Sequence, residues 1–568
     1  MAVAGAAEVG EAAAYGVPPL RRLGVRSTVP AVLLVGVVFA TLLSIAVATS
    51  LGTYNDRYEL VLFPPSLDAY VDFAEIPGPL FLETILRVAP PLLLAAVPSS
   101  FAGYFLGRRA PRVVRRVGVV LLLAAWALTF ERNLAMFHLA TPTVAGWFPW
   151  MAVTFPGAAS LMIFYAAMPP IALCVYSAHR GGFLGLPWPG SAGTPSDRFV
   201  YEVLPRTVAG AALGIVVAGA YVLLDLVLAA YSTRGEVGIV SYIVEQSGLI
   251  GGGPLSAAGA VIVFLVLGAA LLVFFLWLWA VRMVTARRPA TPADAPPSRR
   301  NLASDVAAGV GIVALGFLLV SAFVPIAIAF LFSFNSTFSF GEFGGWSTDW
   351  YYNPRWTPGD SPVPPGIFNL EAFLESMGRA VGLSLVTALV VVPIAVLAAA
   401  GSWNLPPRTR AKVRGVLYVG AFLPITLTTL MASYAILLGS GSVFGGQMPE
   451  PWDAVAVGVP LLPMALGYAF IVAASSSDWR QAWAVGGTWT TWVRPAAAAF
   501  LTTFGFLMSA FGAIQAYSLG TFLYAYVSRN ILTPLVDAGL VFLSLSTIVP
   551  ILVAALLVRD GDRELFRL

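Results

Sequence analysis

Residues 282–300 read RMVTARRPATPADAPPSRR, a run of arginine, proline and alanine between two long apolar segments. Proline interrupts a regular helix and clustered arginine stays in water, so the run reads as a flexible aqueous connector. What it connects decides the fold. On either side the chain is dominated by apolar runs near twenty residues, the length that crosses a hydrocarbon core of about 30 Å. Twelve are found, centred near Leu42, Leu93, Leu123, Ile163, Val217, Leu267, Gly316, Val390, Ala421, Gly467, Gly505 and Leu545. Six precede the connector and six follow it.

Composition agrees. Of 568 residues 58% are hydrophobic and 11% charged, against roughly 25% charged in a soluble domain; the mean hydropathy is +0.84. A soluble domain is excluded. The runs lack the alternation of barrel strands, and backbone groups in lipid must be satisfied within the segment, so the spans are expected to be helices. The expected fold is an all-α polytopic membrane protein of about 12 transmembrane helices in two parallel six-helix repeats: a first half at 1–281, a cytoplasmic linker at 282–302 and a second half at 303–568. An even number of spans per half sets both halves the same way up.

Arginine gives the orientation. With the N-terminus inside, cytoplasmic segments hold Arg21, Arg22 and Arg26, the five of RRAPRVVRR, then Arg180, Arg198 and Arg206, the five of the connector, the four bases of RTRAKVR, Arg480 and Arg494, and Arg559, Arg563 and Arg567. This positive-inside bias is expected to place both termini in the cytoplasm, and the expected location is a plasma (inner) membrane. The net charge of +4 is accounted for by this topological arginine, and no nucleic-acid partner is expected. The single cysteine, Cys174, lies in an apolar run and forms no disulfide framework. AVA at Ala46–Ala48 imitates a signal-peptidase site, but the apolar run before it is long and starts far from the N-terminus; it reads as a retained first helix.

Two short stretches repeat across the connector. FLETILR spans Phe81–Arg87 and FLESMGR spans Phe373–Arg379, each opening the second helix of its half at the external surface. Glu83 and Glu375 suit the positive end of a helix dipole. Arg87 and Arg379, four residues on, share their face and are placed to pair with them. They read as helix-start ion pairs or as an external gate or docking element.

Ser333–Asn353 reads SFNSTFSFGEFGGWSTDWYYN, directly after an apolar helix. Ser333, Phe334 and Asn335, followed by Ser347, Thr348, Trp350 and Tyr351, resemble the permease subunits of ABC importers of the spermidine/putrescine type, whose first helix ends in a similar Ser-Phe-Asn before a short external segment. Those permeases carry an EAA-type loop after the fourth helix, which seats in the ATPase. VYSAHRGGFLGLPWPGSAGTPSDRFVYEVLP is similar to that frame from Val175, Tyr176 and Ser177, with Gly193 at the glycine position and Phe199 six before Pro205; LPWPG stands where Glu-Ala-Ala would. In DWRQAWAVGGTWTTWVRP, Gln481, Ala482 and Gly487 take the Glu, Ala and Gly positions, and Pro495 arrives early. The resemblance covers most of 303–558 and, more weakly, 79–281. It implies a single-chain translocation subunit with ATP-binding cassette subunits on its cytoplasmic loops, an external solute-binding protein, and a small solute of polyamine, iron or thiamine class. The six loop residues are then the expected ATPase-coupling contacts.

Asp225, in AYVLLDLVLAAY, and Gln515, in SAFGAIQAYSLG, are expected to line the substrate pathway, an ionisable group in an apolar run usually facing a bundle interior. Few other acids are expected within the helices. His138 and His179 are too isolated for a metal site, no GxxxxGK[ST] occurs, and no catalytic set or cofactor site is recognised, so ATP hydrolysis falls to a partner and the chain is not expected to be an enzyme. The incomplete loops keep a second class open, a secondary transporter or uncoupled facilitator with a permease-like fold; a membrane scaffold without solute flux is a third.

Overall fold

A computed structural model describes residues 20–54, 60–75, 77–136, 158–180, 203–223, 254–286, 302–337, 343–353, 365–422, 452–476, 489–513, 534–558 and 565–566. In chain order the helices are α1 (Leu20–Ser50), α2 (Asp68–Glu75), α3 (Pro77–Tyr104, continued by a π-turn at Phe105–Arg109), α4 (Arg112–Ala127), α5 (Thr129–Ala135), α6 (Ala158–His179), α7 (Leu204–Leu223) and α8 (Pro254–Ala286). After the connector come α9 (Leu302–Phe332), α10 (Asp349–Tyr352), α11 (Glu371–Trp403), α12 (Pro407–Phe422), α13 (Trp452–Ser476), α14 (Trp489–Ala513) and α15 (Pro534–Leu557). Two-residue strands β1 (Thr53–Tyr54) and β2 (Leu60–Val61) pair antiparallel after α1.

All twelve expected centres lie in helices. Among the described residues, however, eight helices are long and apolar enough to cross a membrane, or nine if α4 and α5, bent by 68°, form one span. Of the helices that hold those centres, α12, α13 and α14 are the three outside that count. α8 also runs to Ala286, into the expected linker, because the first proline after it is Pro289.

The packing is reciprocal. α3, α6 and α7 pack on one another before the connector, as α11, α13 and α14 do after it. α1 leaves its neighbours to lie against α11, α12 and α13, while α9 lies against α3, α4 and α6. Each also packs against a helix on its own side of the connector, α1 on α8 and α9 on α15. Small residues permit the crossings: a Cβ at Gly401 would collide with the Ser27 hydroxyl, and one at Gly311 would meet the Phe101 carbonyl at 2.5 Å. Apolar side chains left outside, such as Leu33, Leu86, Val273, Val313, Leu389 and Leu556, are exposed by more than half, a belt that water would not tolerate and lipid would.

The same cap closes the C-terminal end of α1 and of α9. Ser50 at the end of α1 is hydrogen-bonded to the Tyr70 hydroxyl at 2.7 Å, and Ser333 after α9 accepts from Tyr351 at 2.7 Å. The Asp68 amide donates to Ser66 and the Asp349 amide to Ser347, both at 3.0 Å. The Ser66 amide donates to the Leu51 carbonyl at 2.8 Å, and that of Ser347 to Phe334 at 2.7 Å. A Ser-x-Asp-x-Tyr sequence, Ser66–Tyr70 and Ser347–Tyr351, builds both. Burial holds the Tyr351 phenol above its usual range, which keeps it a proton donor.

The second cap is the more elaborate. The Asn335 carboxamide oxygen accepts from the Gly344 amide at 2.9 Å and from the Thr337 hydroxyl at 3.1 Å, and the Asn335 carbonyl accepts from the Trp350 indole at 2.5 Å. Gly345 makes the turn at φ +133°, where a side chain would be strained. The Ser-Phe-Asn and Trp-Tyr residues of the sequence motif therefore bind one another.

At the C-terminal end of α11 the Arg410 guanidinium donates to the carbonyls of Ser402, Trp403 and Leu405 at 3.0, 2.5 and 3.1 Å and stacks over the Trp403 ring at 5.0 Å. A cation thus closes the negative end of the helix.

Candidate functional site

The described segments meet at a core of aromatic rings. Trp126, near the end of α4, is 2% exposed and lies edge-on to Tyr221 of α7 at 5.6 Å, Tyr468 of α13 at 5.4 Å, Phe506 of α14 at 5.6 Å and Phe566 at 6.1 Å. Tyr468 and Phe506 stack at 4.4 Å. The Tyr221 and Tyr468 hydroxyls are hydrogen-bonded to each other, joining a helix before the connector to one after it. Such edge-on pairs are worth about 0.5–1.5 kcal/mol each beyond the area they bury.

Beyond Trp126 the chain turns. The Thr129 hydroxyl donates back to the Trp126 carbonyl at 2.7 Å, an alternative to the helical ladder that bends helices, and α5 leaves α4 at 68°. The bend carries Glu131, Arg132 and Asn133 into the protein, all of them fully buried. Glu131 accepts from the Ser509 hydroxyl of α14 at 2.7 Å on Oε2 and from the Thr547 hydroxyl of α15 at 3.0 Å on Oε1. Arg132 is directed elsewhere: its Nη1 donates to the Tyr165 carbonyl of α6 at 3.2 Å and its Nη2 to Asn133 Oδ1 at 3.3 Å.

Glu131 is an internal acid that the sequence reading did not single out. Glu131 was visible in the sequence as two adjacent charges inside the apolar run LTFERNLAMF, Leu128–Phe137. An intramembrane ionisable group of this kind marks a functional position by default.

A second polar link sits where α3 and α6 end and α7 and α9 begin. His179 Nε2 is 2.9 Å from the Thr207 hydroxyl, and its ring lies 5.4 Å from Tyr104. The Tyr104 hydroxyl meets Ser304 at 2.7 Å, and Arg109 pairs with Asp305 at 3.3 Å. These bonds pin α9 where it crosses α3. Among the described residues no group of three His, Cys, Asp or Glu side chains is arranged to hold a metal ion.

Of the residues singled out in the sequence, Glu83–Arg87 and Glu375–Arg379 are each joined at 2.5 Å, and all four side chains are substantially exposed. They occupy matching positions in α3 and α11. Exposed i,i+4 pairs contribute about 0.3–0.5 kcal/mol, so Glu83→Gln and Glu375→Gln are each expected to change unfolding stability by less than about 0.5 kcal/mol, measured by denaturant titration in detergent. A much larger loss at either would give that pair a role beyond the helix start.

Pro205 lies in the first turn of α7, where a proline costs no helical hydrogen bond. Gly193, Phe199, Gln481, Ala482, Gly487, Asp225 and Gln515 lie outside the described residues. Val175, Tyr176 and Ser177, which open the first EAA-like frame, are fully buried within α6, so the head of that frame is helix core and not a loop surface.

The arrangement defines a helical membrane protein whose polar interior lies where two sets of helices meet. Comparison with family models and with curated proteins finds no match to this chain.

Proposed function

We propose that the chain is the translocation subunit of an importer: two six-helix units, set the same way up, that move a small solute by alternating access while a separate ATP-binding cassette subunit works at the cytoplasmic loops and a solute-binding protein docks outside. The observation that carries this reading is the reciprocal packing of α1 on α11, α12 and α13 and of α9 on α3, α4 and α6. With the matched external caps, it is what a duplicated unit produces when each copy lends its first helix to the other. Two such units can rock against each other about the aromatic core at Trp126.

In this reading Gly193, Phe199 and Pro205 and then Gln481, Ala482 and Gly487 contact the ATPase, Asp225 and Gln515 line the pathway, and Glu83, Arg87, Glu375 and Arg379 face the external partner. Mild purification of the tagged chain from its own membrane is expected to bring down a stoichiometric ATP-binding subunit, and Gln481→Arg or Gly487→Pro to reduce its recovery at least several-fold with the chain still folded. A chain that comes away alone would refute ATP coupling.

One observation favours a second reading, a carrier driven by an ion gradient: the buried Glu131. Uptake into vesicles that follows an ion gradient and ignores ATP would select it.

A further inference from the structure

We propose that Glu131 is a proton-binding site at the joint between the halves, its charge state selecting between two hydrogen-bond arrangements of α5 against α14 and α15. The inference concerns the chain alone and does not depend on what drives transport.

The geometry carries it. Glu131 is fully buried on a seven-residue helix turned 68° from its predecessor. It touches two helices from the far side of the connector, one with each carboxylate oxygen. Ionised, it accepts both hydroxyl bonds. A bound proton makes one oxygen a donor, so the hydroxyl on that side must reverse its bond or leave. Neutralisation also removes a charge from an apolar interior, where charge is costly unless well paired.

A proton fits better than a metal ion. Ser509 and Thr547 approach opposite oxygens and both donate inward, so their lone pairs do not converge on a common point as the six or so oxygens around a hard cation must. A proton needs one lone pair and no cavity.

The charged and titratable groups on the packed elements are few. On α5 itself there is Arg132, directed to Tyr165. α6 supplies Tyr165, Cys174 and Tyr176, with His179 at its inner end; α4 supplies Arg112, Arg115 and Arg116 at its inner end; α9 has Asp305 and α14 has Arg494, both in the first two turns. α15 has Asp537, ten residues from Thr547, about 15 Å along the helix. Arg132 is the near charge, and it favours the ionised form. The hydroxyls do the same, and burial away from water opposes all three, so the balance sets the affinity for the proton.

The test is infrared difference spectroscopy of the purified full chain in lipid nanodiscs, titrated between about pH 5 and 8, the range of physiological switching. The expected result is a protonated-carboxyl C=O band that grows as pH falls and is absent in Glu131→Gln. Ser509→Ala and Thr547→Val, which leave the carboxylate in place, are each expected to raise the midpoint by about one pH unit, a tenfold gain in proton affinity. Failure to detect any band sensitive to Glu131→Gln, or midpoints unmoved in both hydroxyl variants, would overturn the proposal. So would a band that sodium chloride abolishes at constant pH and choline chloride does not, since a metal ion would then hold the site.

Discussion

Gly210→Ala is expected to cost the protein about 3 kcal/mol or more, the upper end of overpacking penalties. A Cβ at Gly210 would lie 2.5 Å from Val175 Cα, 2.8 Å from its amide nitrogen and 2.9 Å from the Cys174 carbonyl. Those are backbone atoms of α6, and they cannot yield one at a time. One turn on, a Cβ at Gly214 would lie 2.5 Å from Ile171 Cα, so the two glycines form the seam along which α7 lies against α6. The substitution would have to push α7 away, and α7 carries Tyr221 to its bond with Tyr468. Gly316→Ala is the control: nothing lies within 4 Å of a Cβ there, and alanine is the better helix former by about 1 kcal/mol. Unfolding titrations in mixed micelles should separate the two variants widely. Equal stability would mean that α6 and α7 are not in this contact.

Trp350→Ala is expected to be comparably damaging, about 3–5 kcal/mol, the range for a buried aromatic truncated to alanine. Trp350 is 3% exposed and its indole nitrogen donates to the Asn335 carbonyl, so truncation empties a packed site and removes the carbonyl's donor. Trp350→Phe keeps most of the packing and loses the bond, and its cost should be nearer 1–2 kcal/mol. The milder pair Tyr70→Phe and Tyr351→Phe tests the equivalence of the caps: each removes one hydroxyl bond of 2.7 Å to a serine, and the two costs should agree near 1 kcal/mol. A negligible loss in Trp350→Ala would leave the segment after α9 without a structural part.

Much of this architecture is legible in the sequence, because lipid rewards one local rule. Apolar runs near twenty residues mark helices, and a Pro- and Arg-rich run marks water; every centre chosen on that rule falls within a helix. The Glu-Arg pairs at 83–87 and 375–379 are equally local, since four residues make one helical turn. The bend at Leu128 is not legible in this way. No proline or glycine stands at it, and it depends on Thr129 turning back to Trp126 and on Ser509 and Thr547, almost four hundred residues or more away, receiving Glu131. The exchange of α1 and α9 is likewise a tertiary fact, dictated by which small residues happen to face each other. The Ser-x-Asp-x-Tyr caps lie between these cases: the letters repeat, but each serine's partners become evident only when the chain end of α1 or α9 folds over it.

The central claim is that the chain consists of two equivalent units with the same orientation across the membrane, and labelling of single cysteines in a Cys174→Ala background tests it most directly. Leu67 and Thr348 occupy matching exposed positions in the two caps, and Val113 and Lys412 are exposed in the first two turns of α4 and α12. A membrane-impermeant thiol reagent applied to intact cells is expected to label Leu67→Cys and Thr348→Cys, and to label Val113→Cys and Lys412→Cys only after the membrane is opened. Labelling of Leu67→Cys and Thr348→Cys from opposite sides would contradict the claim.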